Sequence, residues 1–319
     1  MKLVYLSNRH LQHEVYWRNM TPPLEHALSS ISGVTVVAPP PLRRPTFRAD
    51  RPAWLASIRA VRQADAVLWM QMHLRPPLPI WGLAYARPLT MRTMIVLDAW
   101  RQHLDNLALV VKRQHIRRCF VFYRQAADML ADRYPHLGFS WLPVCVDTDV
   151  FRDVGRPRDI DFFWIGRRDK ALHEALLDYC AKRGLTYRFS MHEHDPPTRE
   201  ELGELVSRTR YFIATPPNLT NAERTGGFAP LVPRYLEGPA AGARVMGVPC
   251  LESDLEYYLP AGGFIRCSPD GSDLADVVDA AESDPDWEAQ RITTRDRVVR
   301  EHSWERRGRQ IYDNLASLA

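Results

Sequence analysis

The sequence predicts an α/β protein made of two doubly wound domains facing each other across a cleft. Two observations predict it. Short β-branched and aromatic runs alternate with longer amphipathic stretches, the pattern of βαβ units and parallel sheets. The series occurs twice, and a polar stretch at 145–158 separates the two, where Asp147, Asp149, Asp153, Gly155 and Pro157 break any period.

In the first series strands are expected at residues 3–7, 34–38, 66–71, 94–98, 119–123 and 140–144, near-continuous apolar runs of the kind covered on both faces. Between them, Thr21-Pro22-Pro23 reads as the cap and first turn of a helix, and helical spacing runs over 54–63, 104–117 and 125–134. The second series begins with a strand at 160–166, a helix at 170–183, a strand at 187–191, a helix at 198–208 and a strand at 211–215. A helix at 233–241, strands at 244–246 and 264–267, and helices at 272–282, 286–301 and 303–318 complete it. The expected division is a first Rossmann-like domain over 1–150, a second over 151–300 and a C-terminal helix over 301–319, with a return of that helix to the first domain left open.

Composition narrows the class. With 319 residues, 45% hydrophobic and 25% charged, the chain buries enough apolar surface to fold without disulfides, which excludes disorder as its main state. Cys119, Cys145, Cys180, Cys250 and Cys267 are odd in number and never spaced as a C-x-x-C pair, so they read as reduced, buried thiols. The first residues lack a charged leader followed by an apolar core, and no apolar run approaches spanning length, so a cytoplasmic protein is expected. The net charge of +4 is carried almost wholly by arginine, since only Lys2, Lys112, Lys170 and Lys182 are lysines. Arginine forks suit phosphate. The basic patches at 113–118, 291–300 and 306–309 match no nucleic-acid module and read as solvated helix faces, so no nucleic-acid partner and at most peripheral membrane contact are expected.

Open parallel sheets bind ligands at the carboxyl ends of their strands. The sharpest case is Ile165-Gly166-Arg167-Arg168-Asp169-Lys170, a buried strand ending at a glycine with cations at the start of a helix, where a phosphate is favoured. A second is Thr225-Gly226-Gly227, where paired glycines admit close backbone approach, followed by Arg234 and Glu237 on one helix face. The carboxylate of Glu237 suits both hydroxyls of a ribose, and a plain surface ion pair fits the same spacing. Asp147-Thr148-Asp149, Asp159-Ile160-Asp161 and Asp284-Pro285-Asp286 spell D-x-D, but each falls in a linker, strand entrance or turn, so no metal site is expected. His192-Glu193-His194-Asp195 lacks a strong zinc spacing and reads as a polar loop, while His10, His13, His73 and His103 each suit a sugar contact or a structural hydrogen bond.

The order of these pieces resembles the GT-B glycosyltransferases, in particular the retaining, family-four-like group and its spore-maturation-type relatives. Leu142-Pro143-Val144-Cys145-Val146-Asp147 with Phe151 resembles the signature that ends the first domain in that family; Gly166-Arg167 with Lys170 resembles its diphosphate-gripping segment. Arg234-Tyr235-Leu236-Glu237 followed by Ala241-Gly242 resembles its donor helix, and His302-Ser303-Trp304 with Arg306 its terminal helix start. The resemblance covers roughly the second half. It implies a GT-B fold and a metal-independent, retaining transfer of a sugar from a nucleotide diphosphate donor to an acceptor held by the first domain. The nucleotide sugar is then a co-substrate, with no other cofactor and a UDP-sugar preferred; the acceptor is a glycan, a lipid-linked sugar or a small natural product. In that scheme Arg167 and Lys170 stabilise the leaving diphosphate, Gly166, Gly226 and Gly227 lend amides, and Arg234 and Glu237 hold the ribose. His103 and Asp98, beside the end of the expected 94–98 strand, are preferred for activating the acceptor. Two departures stand out: the family's E-x7-E pair has Ala229 eight positions before Glu237, and the loop after the first strand, Leu6-Ser7-Asn8-Arg9-His10, is polar and bulky where the family is glycine-rich. A sugar-nucleotide epimerase and a non-catalytic nucleotide-sugar-binding or scaffold protein stay open as alternatives.

Overall fold

The computed structural model describes residues 1–9, 15–40, 47–72, 82–190 and 197–319. His10, His13, His73 and the 192–195 segment lie outside the described residues. The chain divides into two compact units, one of Met1–Pro143 with Trp304–Ala319 and one of Val144–Ser303.

In the first unit, β1 (Leu3–Leu6), β2 (Val34–Val37), β3 (Ala66–Gln71), β4 (Met91–Val96), β5 (Ile116–Val121) and β6 (Phe139–Trp141) form one sheet in the order β2-β1-β3-β4-β5-β6. All pairings are parallel. Helices α1 (Val15–Ser29), α2 (Phe47–Arg62), α3 (Leu104–Arg113) and α4 (Arg124–Arg133) connect them. β3 is buried along its whole length, which explains its unbroken apolar run.

In the second unit, β7 (Ile160–Ile165), β8 (Tyr187–Ser190), β9 (Thr209–Ala214), β10 (Arg244–Gly247) and β11 (Phe264–Arg266) form a parallel sheet ordered β11-β10-β9-β7-β8. Its helices are α5 (Lys170–Arg183), α6 (Arg199–Ser207), the short α7 (Pro217–Thr220) and α8 (Ala222–Thr225), α9 (Arg234–Ala240), α10 (Glu252–Tyr258), α11 (Leu274–Ser283) and α12 (Trp287–Glu301). Phe162 of β7 stacks on Tyr211 of β9 with ring centroids 5.1 Å apart, and Trp164, Leu176, Ile213 and Met246 close the same core. Each such fully buried side chain contributes about 1.5–3 kcal/mol of transfer free energy. Residues 145–158 belong to this unit, tied down by Val146, whose N–H donates to the His302 carbonyl at 2.9 Å.

Several boundaries differ from the sequence expectation. Thr21-Pro22-Pro23 does not open a helix: Pro22 and Pro23 lie inside α1, which begins at Val15. The lost N–H donors are tolerated because Leu24, Ala27 and Leu28 are fully buried and Ala27 packs against Gly308 of the last helix, α13 (Trp304–Ala316), so tertiary contact overrides the proline penalty. Similarly, α2 begins at Phe47 and carries Pro52 internally. α3 stops at Arg113, short of 117, since His115 takes a positive φ of 51° and the chain turns into β5. α7, α8 and α10 carry no strong period and were not expected.

Candidate functional site

Both sheets follow the order 2-1-3-4-5 for their first five strands, so each has a topological switch point between its first and third strands, where doubly wound folds bind ligands. In the second unit that point lies at the carboxyl ends of β7 and β9. β7 runs into Gly166, whose φ of 96° demands glycine. Arg167 and Lys170 follow and are both exposed; Lys170 has 87% of its side chain in solvent and stands 3.9 Å from Glu174. Asp169 caps α5, its carboxylate accepting from the Leu172 N–H at 3.2 Å. A carboxylate therefore already serves one of the helix-start donors the sequence offers to phosphate.

The cation that the fold fixes is Arg168, which sequence reasoning left unassigned. Its guanidinium lies 4.7 Å from the Phe189 ring centroid, at the end of β8. Its Nε and Nη1 are buried and have no hydrogen-bond partner among the described residues. The cation–π contact holds the guanidinium over the ring while these two donors stay unspent, an arrangement suited to an incoming anion. Around it, the His173 Nδ1 and the Tyr187 hydroxyl are 2.8 Å apart, and the His173 ring meets Phe189 edge-on at 4.7 Å. Burial, and then the charge of Arg168, hold the His173 imidazole below its ordinary value, so it stays neutral beside the guanidinium. Burial pushes the Tyr187 phenol up, keeping it protonated. The signal for Arg168 was in the sequence as the second of two arginines after Gly166; what hid its role was the long-range contact with Phe189.

On the β9 side, Gly226 and Gly227 have φ of 61° and 85°, and a Cβ built at Gly227 would meet nothing within 4 Å, leaving the main chain open to a ligand. The chain then enters α9. Gly238 lets this helix lie against β9, since a Cβ there would stand 2.8 Å from the Phe212 Cβ. That contact sets the first turn of α9 on the carboxyl side of the sheet, where Arg234 is ion-paired with Glu237. The ion pair foreseen as a bland alternative therefore exists, with the Glu237 side chain 11% and the Arg234 side chain 22% exposed. Ala229 stands in the preceding loop, its carbonyl accepting from the Leu251 N–H at 2.9 Å.

The first unit carries its own polar groups at its switch point: Ser7 and Arg9 both bond the Glu25 carboxylate, and Asn8 and Gln71 are fully buried. Away from it, beyond β4, Asp98 accepts from the Tyr123 hydroxyl at 3.1 Å. Asp98 follows β4; His103 is exposed, and its N–H donates to the Trp100 carbonyl at 2.8 Å. Four aspartates of the D-x-D spellings have side-chain partners. Asp147 pairs with Arg199, Asp159 with Arg208 and Asp161 with Arg210, while Asp284 accepts from the Asp286 N–H and the Gln290 amide. All five cysteines are free and buried, and burial pushes the Cys180 and Cys267 thiols up to about 12. Among the described residues no helix is long and apolar enough to cross a membrane.

Comparison with solved structures decides the architecture. Sucrose-phosphate synthase from Thermosynechococcus elongatus superposes with a TM-score of 0.58 at 13% identity over 100% of both chains. The fold is GT-B. UDP-GlcNAc 2-epimerase from Methanocaldococcus jannaschii shares this GT-B architecture at a TM-score of 0.55 and 11% identity, over 99% of this chain and 100% of its own. The enzyme of that name from Neisseria meningitidis, solved with UDP-GlcNAc, gives 0.55 at 9% identity over 99% of each chain. Residues 159–313 match the family described as glycosyl transferase-like, a span that holds Gly166–Lys170 and Arg234–Glu237 of the GT-B second unit. No curated protein sequence matches the chain.

Proposed function

We propose that the protein is a glycosyltransferase that moves a sugar from a nucleoside diphosphate donor to an acceptor. The observation that carries this reading is the unspent, stacked Arg168 fork at the β7 switch point, inside the span that matches the glycosyl transferase-like family. The donor diphosphate lies against Gly166 and Arg168, with Arg167 and Lys170 adding mobile positive charge and the Gly226–Gly227 main chain donating to it. As the glycosidic bond breaks, charge grows on the leaving diphosphate oxygen, and these groups stabilise it. Arg234 engages one oxygen of Glu237, and the other accepts from a ribose hydroxyl. With Ala229 where the resembling family carries a glutamate, this position supplies no carboxylate to the transferred sugar. The acceptor belongs to the first unit, where Asp98 and His103 are the groups proposed to take its proton. Retention, independence from metal, the preference for a UDP-sugar and a cytoplasmic location are parts of the same proposal.

The epimerase neighbours support a second reading, in which the bound sugar nucleotide is interconverted without an acceptor. Incubating the full chain with radiolabelled UDP- and GDP-sugars and resolving the products separates the two. Label passing to an acceptor fraction supports transfer; label in an epimeric sugar nucleotide supports epimerisation. Nucleotide binding with neither product, unchanged in Ala229→Glu, identifies a non-catalytic binding protein and overturns the proposal.

A further inference from the structure

The switch point of the first unit holds two buried carboxamides whose orientation is fixed by their own bonds. Asn8 follows β1, and its Nδ2 donates to the Met70 carbonyl on β3 at 2.5 Å. That bond commits the amide nitrogen and turns Oδ1 the other way. Gln71, the next residue along β3, accepts at Oε1 from the Trp69 indole N–H at 3.2 Å, which turns its Nε2 away from that bond. Both residues are at most 1% exposed, and neither Asn8 Oδ1 nor Gln71 Nε2 has a partner among the described residues. The register of β1 on β3, Leu6 opposite Trp69, carried two residues further, sets Asn8 opposite Gln71. One spare acceptor and one spare donor therefore stand on neighbouring chain segments at the ligand-binding end of a parallel sheet.

Leaving two such buried groups unpaired is costly, and only a group that both donates and accepts satisfies both at once. An alcohol hydroxyl does so: its hydrogen goes to Asn8 Oδ1 and its lone pair takes the Gln71 N–H. A phosphate or carboxylate, having no hydrogen to give, leaves Oδ1 facing negative charge. An ammonium, having no lone pair, leaves Nε2 unmet. The neighbouring charge is already neutralised, since Glu25 is bonded by Ser7 and by Arg9, and Ser7 also accepts from the Arg9 N–H at 3.0 Å. The pair is thus tuned to a neutral hydroxyl.

We infer that Asn8 and Gln71 hold a hydroxyl of an uncharged sugar, as the acceptor-selecting contact of the first unit. This rests on the transferase reading and extends it to the substrate class. Ligand-observed NMR on the full chain tests it with the methyl glycosides of glucose, galactose, mannose and N-acetylglucosamine as probes, glucose 6-phosphate as the anionic comparator, and a calorimetric UDP titration on each sample. Saturable binding of at least one glycoside in preference to glucose 6-phosphate is expected, weakened about tenfold in Gln71→Glu, which presents a second acceptor to the hydroxyl. UDP affinity in that variant stays within twofold of wild type, which also reports that it folds. No glycoside bound by wild-type protein that binds UDP means the pair holds a buried water, and preference for glucose 6-phosphate means an anionic acceptor; either overturns the inference while leaving the donor site intact. Failure of the wild-type protein to bind UDP, GDP or TDP strikes the transferase reading itself.

Discussion

The guanidinium carbon of Arg168 lies over the Phe189 ring, 4.7 Å from its centroid, two chain segments brought together by the pairing of β7 with β8. The stack holds a cation at the mouth of the sheet without spending the hydrogen bonds that a ligand needs. Under the proposed function, Arg168, more than the exposed Arg167 or Lys170, is the residue on which donor binding turns.

Replacing Arg168 by alanine is expected to weaken nucleoside diphosphate binding about 10- to 100-fold, the scale of one charge-assisted hydrogen bond or a little more. Arg168→Lys restores the charge but not the planar fork, so it recovers less than half of that loss on a free-energy scale. Calorimetric titration of both variants checks this; equal affinity in wild type and Arg168→Ala removes the residue from the site.

Glu237 makes a separable contribution. Glu237→Gln removes its charge and keeps an oxygen, and donor affinity should drop about three- to tenfold with the unfolding midpoint little changed. A transfer assay at varied donor concentration reads this as a raised KM with kcat largely preserved. A fully preserved KM would argue that the carboxylate serves only Arg234.

The placement of α9 depends on Gly238. Gly238→Ala puts a methyl 2.8 Å from the Phe212 Cβ, where neither the strand nor the ring yields cheaply. Urea unfolding should show a loss of about 1–3 kcal/mol, with donor affinity falling as the helix is pushed off β9. An unaffected midpoint would show that α9 does not pack this closely.

His173 gives the second unit a pH dependence of known sign. Its imidazole in the fold is protonated less readily than in the unfolded chain, where the ordinary value is 6.5. The unfolded state therefore takes up the proton first as pH falls, so this contribution is complete above about 6.5 and lost below it. Urea midpoints at pH 7.5 and 5.5 should lie further apart in wild type than in His173→Gln. Equal spacing in the two proteins would mean that His173 is not the titrating group.

Most of the fold was legible because parallel strands buried on both faces advertise themselves as apolar runs, as residues 66–71 and 160–165 do. Boundaries failed where packing overrode local preference, as at Pro22 and Pro23 inside α1, or where a single residue turned the chain, as at His115. At the site, Gly166 and the Arg234–Glu237 spacing were readable because glycine conformation and helix periodicity are local. Arg168, Asn8 and Gln71 were not singled out, since their roles come from Phe189, Met70 and Trp69, contacts that no local pattern announces.

The most direct measurement is a calorimetric titration of the full chain with UDP, GDP and TDP in metal-free buffer, repeated on Arg168→Ala. The account predicts saturable binding of at least one nucleoside diphosphate by wild-type protein, UDP foremost, weakened at least tenfold by the substitution. Binding of none of the three, or binding that Arg168→Ala leaves untouched, would contradict a donor site at the carboxyl end of β7.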